Sequence, residues 1–292
     1  MSLIDKESVR NSTGKRLTKN QIFRWLFFLA TLFGIVVLAT LLFRIFTQGI
    51  GYLDWGFLTS FASRFPEESG IKAAIVGSLW LMAVTAPVSL ILGVGTAIYL
   101  EEYAKKNKWT RFIQINISNL AGVPSIVFGL LGLTIFVRLL EMGRSVMAGG
   151  LTMSLLILPI IVVAAQEAIR SIPNEQYEAS YAMGATKWQT IRRVVLPAAI
   201  PGILTGGILA LSRAIGETAP LLMIGAITFI AYLPESVWSG FTVMPIQIFN
   251  WTSRPQEEFH YVAAAGIIVL LIMLIIMNSI AVFIRNKFSK RY

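Results

Sequence analysis

Two oppositely charged residues, Arg213 and Glu217, lie four positions apart inside an apolar stretch of the chain. A charged side chain at the centre of a bilayer costs about 2.5–3.5 kcal/mol on insertion scales, so such residues need a reason to be there. On a helix this spacing puts both on one face, where an ion pair offsets part of the cost. The pair is either a structural link between helices or, as we favour, an anion path in which Arg213 lines the route and Glu217 holds or gates the ion.

A second candidate site lies in the polar stretch 169–197, where Pro173 and Glu175 favour a helix start and Gly184 favours a helix end. The predicted helix combines small side chains, which let another surface approach closely, with aromatic and thioether side chains typical of interfaces. An amphipathic helix that only lies on a membrane is the alternative interpretation. The candidate docking residues are Tyr177, Glu178, Ala179, Ser180, Tyr181, Ala182, Met183 and Gly184.

Catalytic groups are scarce in this sequence. The chain has no cysteine and a single histidine, His260, so a thiolate nucleophile, a zinc-thiolate site and an Fe–S cluster are excluded. It contains no GxxxxGK[ST] phosphate loop, no HExxH zinc motif and no Ser/His/Asp set. We therefore predict a protein that is not an enzyme and binds no cofactor or metal of its own.

The composition is that of a membrane protein. Hydrophobic residues make up 55% of the 292 positions, charged residues only 14%, and the mean hydropathy is +0.70. Several apolar stretches reach the length of about 20 residues that a helix needs to cross a bilayer. The sequence predicts an all-α integral membrane protein with six transmembrane helices, at residues 25–46, 71–100, 112–140, 147–168, 200–230 and 262–284.

The positions of Lys and Arg predict the orientation. Most of the 25 basic residues fall in four segments on one side of the predicted helices, namely 6–24, 105–111, 170–193 and 285–291. By the positive-inside rule both termini are cytoplasmic, and the net charge of +10 reflects topology rather than nucleic-acid binding. The expected divisions are an N-terminal tail (1–24), a transmembrane domain (25–284) with a cytoplasmic loop (169–197), and a C-terminal tail (285–292). The first apolar run is expected to be a retained anchor, not a signal peptide.

Aromatic residues and prolines add two expectations. Aromatic residues of the outer segments 47–70 and 231–261 are first of all expected to be interfacial anchors, and secondly a contact surface for an external partner. They are Tyr52, Trp55, Phe57, Tyr232, Trp238, Phe241 and Trp251. Four prolines inside the spans predict kinks or breaks around an interior path, namely Pro87, Pro124, Pro159 and Pro220.

The polar loop resembles the EAA loop of ABC-importer permeases, in which Glu-Ala-Ala is followed at fixed distances by Gly and by Ile-x-Leu-Pro. Here the corresponding residues are Glu178-Ala179-Ser180, Gly184, Val194 and Leu196-Pro197, with Ser180 and Val194 as conservative departures. The resemblance implies a type I ABC importer permease-like fold. It also implies that the short helix, between membrane helices 4 and 5, is a coupling helix seated in a groove on a cytoplasmic ATPase.

The ten residues from Ser212 to Leu221 resemble the SRAIGETAPL signature of phosphate-importer permeases, and the Thr-Ala-Pro-Leu ending is similar to the PstA family rather than to the PstC family. The resemblance implies a substrate path that includes Ser212, Arg213, Glu217 and Thr218. For Arg138, at the end of the third span, two interpretations are equally favoured: it marks the topology, or it supplies a charge to the outer vestibule. Sulfate and molybdate permeases have a related Gly-Glu, so a permease for another oxyanion is the alternative.

The resemblance also implies the partners and the location. They are a homologous PstC-like permease, a PstB-like ATPase homodimer that carries the ATP and Mg, and an extracytoplasmic PstS-like phosphate-binding protein. The expected location is the bacterial cell membrane, with several passes through the lipid bilayer. A secondary transporter and a structural anchoring subunit are weaker alternatives, because the first leaves the EAA loop unexplained and the second leaves Arg213 and Glu217 without a purpose.

Overall fold

The computed structural model describes residues 6–226 and 229–288, and this part of the chain is almost entirely helical. In chain order the helices are α1 (Lys6–Gly49), α2 (Trp55–Thr59), α3 (Lys72–Ile98), α4 (Lys108–Leu120), α5 (Ser125–Gly132), α6 (Val146–Arg170), α7 (Asn174–Ala182), α8 (Lys187–Thr190), α9 (Leu196–Gly216), α10 (Ala219–Ile224), α11 (Met244–Thr252) and α12 (Glu257–Phe288). Wider π-helical turns extend α3 through Tyr99–Tyr103, extend α5 through Leu133–Leu139 and join α8 to α9 through Ile191–Val195.

Among the described residues, five helical stretches are long and apolar enough to cross a membrane: α1, α3, α6, α8 with α9, and α12. A sixth crossing exists if the bent pair of α4 and α5 counts as one span. The predicted all-α membrane fold is therefore confirmed, with two of the six spans broken. The predicted tail residues 1–5 and 289–292, and residues 227–228 of the predicted fifth span, lie outside the described residues.

The predicted third span, 112–140, is not one continuous helix. Its first part belongs to α4, and the helix that follows turns away by 104° after a break at residues 121–124. Pro124 explains the break, because it has no N–H to continue the helical ladder and its ring disfavours a helical conformation at Val123. The carbonyl of Pro124 instead accepts a hydrogen bond from the N–H of Val127 at 3.0 Å, at the start of α5.

The predicted fifth span, 200–230, is also interrupted. α9 begins earlier, at Leu196, and ends at Gly216, because Glu217 has an extended conformation (φ −75°, ψ 127°). Pro220, in the first turn of α10, cannot donate the hydrogen bond that would have continued the ladder to Gly216. Pro87 and Pro159, by contrast, lie inside the continuous helices α3 and α6.

The second halves of these two broken spans meet. A Cβ atom added to Gly129 of α5 would lie 2.6 Å from the Cα of Pro220 and 2.8 Å from the Cβ of Met223, both in or next to the first turns of α10. Another side of α5 packs equally closely on α6, since a Cβ on Gly132 would lie 2.0 Å from Thr152 Oγ1. Two glycines one turn apart thus let α5 fit between α10 and α6.

The bundle is organised around α6, most of whose residues are buried between α3, α5 and α9. Its glycines allow this packing; a Cβ on Gly150, for example, would lie 2.5 Å from a methyl group of Val84. By contrast α1 packs mainly on α12, and most of its apolar side chains from Leu17 onward are exposed. Exposed apolar surface of this kind is expected of a helix that faces lipid or a partner subunit.

The outer segment 231–261 folds back over the end of the bundle opposite α7. The N–H groups of Val146 and Met147, at the start of α6, donate to the carbonyls of Ser239 and Val237, and Ser78 Oγ of α3 accepts from the N–H of Met244. Three of the seven predicted interfacial anchors are consequently buried in the core, namely Phe57, Phe241 and Trp251. For these the expectation is wrong, because α11 and the segment before it pack inward, and Phe57 of α2 packs against Trp251 with ring centroids 5.9 Å apart. Trp55 and Trp238 are exposed, and their role as interfacial anchors stays a prediction.

We predict that Gly129→Ala lowers the thermal stability of the protein in detergent, because the new methyl group meets backbone atoms of α10 that cannot move without opening the contact. The expected loss is about 1–3 kcal/mol, measured as a lower midpoint of thermal unfolding. Gly95→Ala is the matched control, since a Cβ at Gly95 of α3 meets no atom within 4 Å. Equal midpoints for the two variants would show that the α5–α10 contact is not tight.

Candidate functional site

In the predicted docking loop, α7 begins directly after Pro173 and is capped at its C-terminal end. There Gly184 has a left-handed conformation with φ +78°. The N–H of Gly184 donates to the carbonyl of Tyr181 at 2.9 Å, and the N–H of Ala185 donates to Ser180 at 3.2 Å, which together form a Schellman motif. The glycine is needed for its backbone angle and not for space, because an added Cβ would meet no atom within 4 Å.

The helix after α7 is capped as well, and it continues into a membrane helix. Thr186 Oγ1 accepts from the N–H of Gln189, and the Gln189 side chain accepts from the N–H of Thr186 at 2.8 Å, which is a capping box. From Lys187 the chain stays helical through the π-helical turn to Gly216. The stretch 187–195 is therefore the first part of the spanning helix that carries Arg213.

The structure divides the predicted docking residues into two groups. Tyr177 and Ser180 contact the rest of the chain: the Tyr177 hydroxyl donates to Glu102 Oε1 at 2.8 Å, and Ser180 Oγ lies 2.8 Å from Thr190 Oγ1. The residues that are exposed on α7 and its C-terminal turn are Glu178, Ala179, Tyr181, Ala182, Met183 and Gly184. Met183, at 88% exposure, is the most open of the large apolar side chains of this loop.

The contact between Tyr177 and Glu102 joins α7 to the end of α3. Burial raises the pKa of the Tyr177 hydroxyl, and the hydrogen bond to the Glu102 carboxylate raises it further, so the hydroxyl stays protonated and donates at neutral pH. Because the pKa of Tyr177 is raised in the folded state, its contribution to the stability of the fold is fully present at pH values below the ordinary tyrosine pKa of about 10. This stabilisation is lost as the pH rises through the folded-state pKa. Lys187 strengthens the junction, because its ammonium group donates to the carbonyl of Glu102 and lies 5.0 Å from the centre of the Tyr103 ring.

Glu101, the residue before Glu102, binds the end of α6. Its two carboxylate oxygens accept from Arg170 Nε at 2.9 Å and from Arg170 Nη2 at 2.6 Å, and Gln166 Nε2 donates to the same carboxylate at 2.7 Å. Sequence reasoning missed both glutamates. The signal that points to them is an acidic pair directly at the end of a predicted span, on the side of the membrane where basic residues dominate.

Arg213 and Glu217 form the ion pair that their spacing predicts, with Arg213 Nε 3.1 Å from Glu217 Oε1. The helix ends between them, however, so the pair bridges the break after Gly216 and does not lie on a continuous helix. The Arg213 side chain is 49% exposed and that of Glu217 is 18% exposed. Leu209 and Gly216, one turn on either side of Arg213, are exposed too, so this stripe of α9 is not covered by the chain's own helices.

The other predicted path residues lie around this pair in different environments. Ser212 Oγ is 2.7 Å from the carbonyl of Ile208 and 2.5 Å from Asn278 Oδ1, so it connects α9 to α12 and is turned away from the exposed stripe. Thr218 is the residue before α10 and is partly exposed. Arg138 is exposed near the end of the extension of α5. In the described part of the chain, no group of three or more His, Asp or Glu side chains is arranged to hold a metal ion.

Residues 89–291, from the second half of α3 to the C-terminal tail, match the family of binding-protein-dependent transport system inner membrane components. The chain belongs to this family. A relative of this membrane component in Bacillus subtilis, described as the probable ABC transporter permease protein YqgI, is 33% identical over 268 residues, which cover 87% of this chain and 91% of the relative. Another, the phosphate transport system permease protein PstA 1 of Mycobacterium tuberculosis, is 32% identical over 287 residues, covering 97% of this chain and 93% of the relative.

Solved structures of ABC importers have the same fold as this membrane component. A chain of a bacterial alginate ABC transporter, crystallised in complex with a periplasmic protein that holds an alginate pentasaccharide, superposes with a TM-score of 0.66 at 15% identity. The match covers 94% of this chain and 98% of that one. The predicted type I ABC importer permease fold is therefore confirmed.

We predict that Tyr177→Phe loosens α7 from α3. The variant removes a hydrogen bond to a carboxylate that is only partly buried, so the expected local loss is about 1 kcal/mol. It is measured as faster backbone hydrogen exchange in residues 174–182. Tyr181→Phe is the control, because Tyr181 is 45% exposed and makes no such contact with α3. If α7 exchanges equally fast in both variants, the Tyr177–Glu102 bond does not hold the helix.

Proposed function

We propose that this chain is a membrane-spanning permease subunit of an ATP-driven importer of inorganic phosphate. The observation that carries the proposal is the exposed Arg213 guanidinium at the break after α9, within the Ser212–Leu221 segment that resembles phosphate permeases. The full-length likeness to a relative named as a phosphate transport permease supports the choice of anion. The chain itself is a transport subunit and does not hydrolyse ATP.

Arg213 is proposed to lower the cost of moving phosphate through the membrane. A guanidinium group offers several N–H donors in one plane, which suits the oxygens of a phosphate ion. Glu217 is near enough to hold this group in place when no anion is bound, and it releases one side of the guanidinium when phosphate arrives. Because the stripe that carries Arg213 is open, the opposite wall of the path comes from a second, homologous PstC-like permease.

The exposed face of α7 is proposed to dock on a cytoplasmic ATPase. Tyr181 and Met183 are the apolar anchors, and Ala179 and Ala182 allow close approach. ATP and Mg are bound by this partner, a PstB-like homodimer. Both termini are then cytoplasmic, and a PstS-like phosphate-binding protein delivers its ligand at the opposite end of the bundle. The periplasmic protein in the crystallised alginate importer supports a partner of this kind.

We expect Arg213→Gln to reduce phosphate uptake about 10- to 100-fold, the effect of losing a charge-assisted hydrogen bond of about 1.5–3 kcal/mol. Uptake is measured with radiolabelled phosphate in liposomes that contain the complete transporter, with sulfate and molybdate as competitors. Arg44→Gln is the matched control, since Arg44 is also an exposed arginine near the end of a spanning helix. Retained uptake would leave Arg213 with a structural role, and uptake of sulfate in place of phosphate would identify another oxyanion as the substrate.

We also expect Gly184→Ala to weaken the association with the ATPase, because a left-handed backbone costs a residue with a Cβ roughly 1–2 kcal/mol and this cost falls on the end of the docking helix. Co-purification of the ATPase with the permease measures the effect. Gly143→Ala imposes the same kind of strain at φ +63°, also in open space, but at the opposite end of the bundle. The docking proposal is contradicted if both variants retain the ATPase equally well.

A further inference from the structure

The amphipathic helix α4 presents its apolar side outward. Of its thirteen residues only Thr110, Gln114 and Ile117 are partly covered, and the rest are exposed. Trp109 is 75% exposed and Phe112 58% exposed, and their rings pack edge to face with centroids 6.2 Å apart. The partly covered side faces α6 and is mainly polar. This arrangement is the reverse of a helix on a water-soluble protein and fits a helix lying at a membrane surface. The bend of 104° after α4 agrees with this, because it lets α5 with its extension leave the surface in another direction.

A basic cleft opens beside the N-terminal turn of α4. It has a volume of about 630 Å³ and lies between the extension of α3, the start of α4 and the end of α6. The side chains that give it its charge are Lys106, Lys108, Arg111 and Arg170, with Glu101 as the acidic member of the lining. The amide of Gln114 also lines this cleft.

Three of these cations are available to a ligand. Arg170 is neutralised, since Glu101 accepts two hydrogen bonds from it and Glu167 Oε1 lies 2.9 Å from its Nη1. Among the described side chains, those of residues 16–226 and 229–287, no carboxylate lies within 4.0 Å of the charged nitrogens of Lys106, Lys108 or Arg111. Two ammonium groups and a guanidinium group around one cleft favour a ligand that carries phosphate oxygens.

We propose that this cleft binds the phosphate group of an anionic phospholipid, whose acyl chains lie along the apolar side of α4. A free phosphate ion would use only the polar half of this surface, whereas a lipid uses the cations and the exposed Trp109 and Phe112 together. Lysine and arginine next to interfacial aromatic residues are the usual features of a segment that holds an anionic lipid. The proposal concerns the membrane leaflet on the α7 side and does not depend on which anion the protein transports.

Quenching of Trp109 fluorescence by brominated lipids tests the proposal. The complete transporter is placed in nanodiscs that contain phosphatidylcholine with a small fraction of either brominated phosphatidylglycerol or brominated phosphatidylcholine. The signal of Trp109 is the difference between the natural protein and Trp109→Phe. We expect brominated phosphatidylglycerol to quench at a mole fraction at least about tenfold lower than brominated phosphatidylcholine, because several basic side chains act on one headgroup.

Charge variants test whether the preference for phosphatidylglycerol arises from the cleft. The triple variant K106Q/K108Q/R111Q is expected to lose the preference for phosphatidylglycerol, and K106R/K108R/R111K is expected to keep it. The control R16Q/K19Q/R24Q removes the same charge from α1, which lies outside the cleft, and is expected to leave the preference unchanged.

Three results would overturn the proposal. Equal quenching by the two lipids would mean that no headgroup is selected. Quenching by neither lipid would mean that Trp109 is covered by a partner protein. Release of brominated phosphatidylglycerol by excess inorganic phosphate would mean that the cleft is a site for the free ion.

Discussion

Backbone groups freed by a break in a membrane helix must be covered by protein or face the water of a cavity, because lipid offers them no hydrogen bonds. This chain interrupts two of its predicted spans, after α4 and after α9. The break after α4 is open, with Ala121, Gly122 and Pro124 exposed, whereas the helices that follow the two breaks, α5 and α10, make a tight contact with each other. The absence of a side chain at Gly129 permits the contact, since Pro220 lies where a Cβ would be. Glu217 precedes Pro220 by three residues, so the ion pair that it makes with Arg213 lies next to this contact along the chain.

The sequence was sufficient to predict the membrane class, the number of apolar segments and the short helix α7 with its glycine end. These features depend on composition, on the length of each apolar segment and on local capping rules, and all of these can be seen in residues that are neighbours in the sequence. The ion pair of Arg213 with Glu217 was also predictable from spacing, although for a continuous helix. The break that separates them depends on Pro220, and of the four prolines noted in the spans only two interrupt a helix, because the outcome depends on what neighbouring helices cover.

Contacts between distant segments were beyond prediction from one sequence. The burial of Phe241 and Trp251 requires that the segment around α11 folds back onto α3 and α6, and aromatic residues between two spans give no sign of this. The same holds for Glu101 and Glu102, which lie more than sixty positions from their partners Arg170 and Tyr177. Adjacent acidic residues mark the end of α3, but their partners are known only once α6 and α7 have been brought beside them.

The continuous helix from Lys187 to Gly216 has a mechanical consequence. Its first turn follows directly from the loop that carries α7, and Arg213 is in its last turn, roughly 40 Å away at 1.5 Å per residue. A lever of this length amplifies motion: a tilt of about 10° around the Lys187 end displaces Arg213 by roughly 7 Å. Glu217 directly follows the end of this helix and is carried with Arg213, so a small rotation of the loop becomes a large displacement of the whole ion pair.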